Sequence, residues 1–83
     1  MTLTEISDIA NKAIAEEFEL ELEDMHATSN LYEDLGLDSL DAVDLVLVLE
    51  NAFSVKLRNM PEIKEVRTLD DVYKLIDSLQ DAQ

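Results

Sequence analysis

One glycine, Gly36, and one proline, Pro61, are all that this chain offers for tight turns and helix breaks across 83 residues. So little punctuation favours long helices over a sheet, whose strands need a turn every few residues. The apolar pattern agrees. Thr2 and Glu5 have the spacing of a capping box, and Leu3, Ile6, Ile9, Ala10, Ala13, Ile14 and Phe18 follow on one helical face. Glu19-Leu20-Glu21-Leu22-Glu23 alternates like a strand, but no other segment is suited to pair with it, so it reads as a loop pinned by Leu20 and Met25. Ser29 or Asn30 can cap a short turn through Leu31 and Leu35, which Gly36 would end. Asp38, with Asp41 three residues on, starts a second helix from about Ser39 to Phe53. A break follows through Ser54 to Met60, and Pro61 opens a short helix from Glu62 to about Val66. Thr68 with Asp71 starts a last helix whose Leu69, Val72, Tyr73 and Ile76 can face the core, and the tail should fray from Gln80. The expectation is an all-α fold forming one domain over residues 1–83. It has three longer helices and one short one, with a long loop between the first and second.

Composition narrows the function. Twenty acidic residues against six basic ones leave a formal charge of −14, while 47% of residues are apolar, too many for a disordered chain. Such a surface repels nucleic acid and anionic lipid and steers toward basic proteins. There is no cysteine, so neither disulfides nor thiolate metal sites can brace the fold, which fits a cytoplasmic protein. The N-terminus lacks the basic and apolar regions of a signal peptide, and the apolar run Leu45 to Leu49 is too short to span a bilayer. A soluble monomer is expected. A chain of this length buries only about 60–65% of its unfolded surface and leaves no room for a deep substrate cleft beside its core.

The second helix is more apolar than a core requires. At about 100° per residue, Ala42, Leu45, Val46, Leu49 and Phe53 form one stripe. Leu40, Val43 and Leu47 form another, roughly on the far side, edged by Asp44 and Asn51. An exposed apolar strip with an acidic border is a common way to bind a partner. A central helix surrounded by its neighbours is the plainer alternative. Ser39 lies at the start of the strip, where unpaired helix amides favour a phosphate group.

The segment Leu35-Gly36-Leu37-Asp38-Ser39-Leu40-Asp41-Ala42-Val43-Asp44 resembles the attachment segment of acyl carrier proteins. The resemblance extends to Glu33-Asp34 before it, to Leu45 through Phe53 after it, and to the Thr-Leu start of the last helix. It implies that Ser39 is esterified with 4′-phosphopantetheine from coenzyme A, and that a transferase supplies the base and holds the coenzyme. It also implies that Asp38, Asp41 and Asp44 meet basic residues of the transferase and of acyl-processing enzymes. Leu40, Val43 and Leu47 would add apolar contact there. An acyl chain would then lie between the second and third helices, lined by Leu49, Met60, Ile63 and Val66. The stretch Ser54-Val55-Lys56-Leu57-Arg58-Asn59-Met60-Pro61-Glu62 departs from the family, with two basic residues where acids are frequent and the proline displaced. Asn51 also replaces a frequent acid. These departures suggest a carrier dedicated to one pathway rather than the general carrier of fatty-acid synthesis.

Other chemistries fit worse. A serine hydrolase needs a base beside its nucleophile, and the only histidine, His26, lies in the acidic loop, so no catalysis is expected. Asp38, Asp41 and Asp44 are three apart, as on a helix, not at the alternate positions of a calcium loop, so no dedicated metal site is expected. The alternative left open is an acidic helical adaptor that binds basic partners without a prosthetic group.

Overall fold

The computed structural model describes residues 1–57 and 61–81. Among these residues, helix α1 (Leu3–Phe18), α2 (Ser39–Phe53) and α3 (Leu69–Asp81) are joined by loops that contain two 3₁₀ turns, Leu22–Asp24 and Pro61–Glu65. The short helix expected after Pro61 is thus the tighter 3₁₀ form and ends one residue earlier. The turn at Leu22 falls within the segment expected to be loop. No ladder of strands occurs among the described residues; a single antiparallel bridge pairs Asn30 with Thr68.

Each long helix starts on a reciprocal pair of side-chain bonds. The Glu5 amide donates to the Thr2 hydroxyl (3.2 Å) and the Thr2 amide to the Glu5 carboxylate (3.0 Å). Asp38 and Asp41 repeat the arrangement at α2, and Thr68 and Asp71 repeat it at α3. These bonds satisfy amides that a helix start leaves without partners. They also hold two carboxyls below their ordinary range. For Glu5 the chief cause is the Thr2 amide; for Asp71 it is the Arg67 amide. The C-termini are less comfortable: Glu19 after α1 and Ser54 after α2 both take left-handed backbone (φ 56° and 54°), which glycine adopts more readily.

The core forms where α1 packs on both α2 and α3. From α1 come Ile6, Ala10, Ile14 and Ala15; from α2, Leu45 and Leu49; from α3, Leu69, Val72, Tyr73, Leu75 and Ile76. The connections contribute as much as a helix does, burying Met25, Leu31, Leu35, Leu37, Leu57 and Val66. The stripe expected on α1 is too wide, because Leu3 and Ile9 lie at its solvent margin (52% and 37% exposed). Tyr73 donates its hydroxyl hydrogen bond to the Asn11 side chain across α1 and α3, and burial pushes its phenol pKa up.

The loop ahead of α2 is held at several points. Asn30, rather than Ser29, caps the turn after it, its Oδ1 accepting from the amides of Tyr32 (2.9 Å) and Glu33 (3.0 Å). Ser29 is instead buried, accepting from the His26 amide and donating to the Asp24 carbonyl. Across the bridge the Leu31 amide donates to the Arg67 carbonyl (2.8 Å), and the Leu69 amide donates to the Ser29 carbonyl (3.2 Å). The run into α2 is thereby fastened to the start of α3.

Candidate functional site

Gly36 turns the chain toward α2 with a φ of 75°, the left-handed region that suits glycine. Leu37 then plugs into the core, and its amide donates to the Leu31 carbonyl (3.0 Å). With Leu37 anchored inside, Asp38 and Ser39 emerge on the surface, and Ser39 is the first residue of α2. Its hydroxyl makes no hydrogen bond to any described residue. The residue is exposed, so the hydroxyl is offered to solvent.

The electrostatics differ from the expectation in one respect. One Asp38 oxygen accepts from both the Leu40 (2.9 Å) and Asp41 (3.0 Å) amides, while the Asp41 carboxylate accepts from the Asp38 amide (3.2 Å). The Ala42 amide is taken by the Asp38 carbonyl. The amides expected to be open to a phosphate are therefore mostly occupied by the cap. A carboxylate, not an empty helix terminus, stands beside Ser39. The helix start presents the hydroxyl; it does not by itself make an anion site.

Leu40, Val43 and Leu47 are 78%, 61% and 40% exposed, so the apolar strip faces outward. Ser39, Val43 and Leu47 are spaced four apart and share one side of α2. Asp44 is exposed beside them and makes no bond to a described residue, whereas Asp38 and Asp41 serve the cap as well as the surface. The opposite stripe is narrower than expected. Leu45 and Leu49 are buried, but Ala42, Val46 and Phe53 are only half-buried.

Val46 has a second neighbourhood that its periodicity concealed. With Val43, Leu47 and Ile63 it lines an apolar groove of about 360 Å³ between α2 and the second 3₁₀ turn. Of the residues expected around an acyl chain, Ile63 lines this groove. Leu49 and Val66 are buried in the core and do not line it, and Met60 lies outside the described residues. The signal for Val46 was available in its spacing from Val43, but a residue between two apolar stripes can serve either.

Among the described residues no helix is long and apolar enough to cross a membrane, and no three acidic or histidine side chains are placed to hold a metal ion.

Comparison with known proteins shows the family. A family model described as "Phosphopantetheine attachment site" matches residues 11–76. An acyl carrier protein of Campylobacter lari is 36% identical over 75 residues, covering 90% of this chain and 96% of its own. One of Wolinella succinogenes is 33% identical over 73 residues, covering 88% and 95%, and one of Campylobacter jejuni subsp. doylei is 33% identical over 73 residues, covering 88% and 94%.

Proposed function

The chain belongs to the phosphopantetheine attachment-site family of carrier proteins, and we propose that Ser39 is the residue that carries its 4′-phosphopantetheine arm and the acyl cargo. The observation that supports Ser39 is its placement: a hydroxyl with no bond to a described residue, fixed at the exposed start of α2 by the buried Leu37 and the left-handed turn at Gly36. When attached, the arm supplies a thiol that holds an acyl group as a thioester.

The chain's own residues do three things. Asp38 and Asp41 rigidify the first turn of α2, so the hydroxyl is offered at a constant position. Leu40, Val43 and Leu47, bordered by Asp44, give the transferase and later the acyl-processing enzymes an apolar strip with an acidic edge. The groove at Val46 and Ile63 offers the cargo's alkyl end a place out of water along the same helix. Loading would join the Ser39 oxygen to the pantetheine-side phosphorus of coenzyme A and break the pyrophosphate link, so that adenosine 3′,5′-bisphosphate leaves. The serine proton would pass to the transferase, since no described residue bonds the hydroxyl. The domain is a carrier, and the departures between Ser54 and Glu62 favour a single dedicated pathway.

Incubation with coenzyme A and a broad-specificity phosphopantetheinyl transferase should add one phosphopantetheine by intact mass. Ser39→Ala should abolish the addition with helical circular dichroism unchanged. Modification of the Ala variant would place the arm elsewhere. Failure of the wild type with several transferases would favour the acidic adaptor.

A further inference from the structure

The alternating segment Glu19 to Glu23 is not used by the Ser39 face. Leu20 packs against the core and Met25 is buried, but between them the chain winds into a 3₁₀ turn. The turn breaks the alternation and leaves Leu22 outside, 56% exposed. Leu22 and Leu20, with Ala15 of α1, form the apolar part of a groove of about 870 Å³ between α1 and this turn. Among the described residues four carboxylates border it, Asp8 and Glu16 from α1 and Glu21 and Glu23 from the turn, against one cation, Lys12. The groove shares no residue with the strip of Leu40, Val43 and Leu47 or with the groove at Ile63.

We propose that this groove is a second docking surface, which takes a segment of a partner protein carrying a large apolar side chain flanked by lysines or arginines. Charge selects the occupant. A second copy of this chain would bring another −14 to an already acidic rim, and nucleic acid or an anionic membrane would meet the same repulsion. A basic segment gains attraction at the rim and buries its apolar residue against Leu22. Held here, the protein keeps its Ser39 face clear, so one partner can retain it while others act on α2. The proposal does not depend on the identity of the modified serine.

The test uses the isotope-labelled full chain carrying Leu47→Asp, which disables the α2 strip, and two synthetic helical peptides. One alternates leucine and lysine faces, and the other has serine in place of each leucine. The leucine–lysine peptide should shift the amide resonances of Asp8, Lys12, Glu16 and Leu20 to Glu23. The serine–lysine peptide should bind about tenfold more weakly, and Leu22→Ser should cost the first peptide about the same factor, since an apolar anchor is lost. Leu22→Ser should leave the melting temperature and the rate of phosphopantetheine loading unchanged. Shifts confined to α2, equal binding of the two peptides, or no effect of Leu22→Ser would overturn the proposal. So would a concentration-dependent dimer lost on Leu22→Ser, which would make a second copy the occupant.

Discussion

Around Ser39, neighbouring aspartates have different jobs. Asp38 accepts two amide bonds at the start of α2, whereas Asp44 is exposed with no described partner. Asp38→Ala should therefore lower unfolding stability by about 1 kcal/mol, as expected for loss of an N-cap. Asp44→Lys should stay within about 0.5 kcal/mol of wild type. It should instead slow loading by the transferase, most at low salt, where steering by charge is strongest. Denaturant unfolding and initial loading rates at two ionic strengths separate the two effects. Equal loss of stability in both variants would mean that Asp44 also braces the helix. The cap was legible in the sequence because Asp38 and Asp41 have capping-box spacing. Its consequence for the phosphate was not, since the same bonds that identify the cap occupy the amides thought to be open.

At the scale of elements, α2 presents two faces with different costs. Leu45 is 4% exposed, so Leu45→Asp should bury an unpaired charge and cost several kcal/mol, enough to unfold a domain of about 5–15 kcal/mol total stability or bring it close to unfolding. Leu47→Asp should change stability by only about 0.5 kcal/mol or less and slow loading, because apolar contact with the transferase is lost. If both variants unfold alike in circular dichroism, the exposed strip is core. Val46 belongs to neither class: it is half-buried and lines the groove with Ile63. The bounds of α2 and the capped start of α3 were readable because caps and periodicity are local signals. The 3₁₀ form after Pro61 and the burial of Leu57 were not. Leu57 follows α2 in an irregular stretch, where only tertiary packing and the bond from its amide to the Glu50 carboxylate (2.8 Å) decide its direction.

For the whole molecule, the charge of −14 sets how stability responds to solution conditions. Carboxylates crowded along Glu16 to Asp24 and Glu33 to Asp44 repel more in the compact state than in the unfolded one, so added salt should raise the melting temperature, and millimolar magnesium or calcium should raise it further. A fall with salt would contradict this. Acid works on a different set of groups. Glu5 and Asp71 are held below their ordinary values of 4.5 and 3.8, so their stabilisation is complete above that range and is lost as pH falls through their lower folded values. Thermal melts below about pH 4.5 should show the loss, and Asp71→Asn should make the decline shallower. The all-α arrangement was legible from the scarcity of turn residues. The tie between Asn30 and Thr68 was not, because a two-residue bridge leaves no periodic trace. That tie bears on how such a chain can diverge over evolution. With Leu31 joined to Arg67, everything between them is one closed loop that contains α2 and the stretch after it. Closing a flexible loop of twice the length costs only about 0.6 kcal/mol more. Insertions beyond Phe53 that spare the buried Leu57 can therefore accumulate at little cost, while α2 and the segment leading into it keep their places.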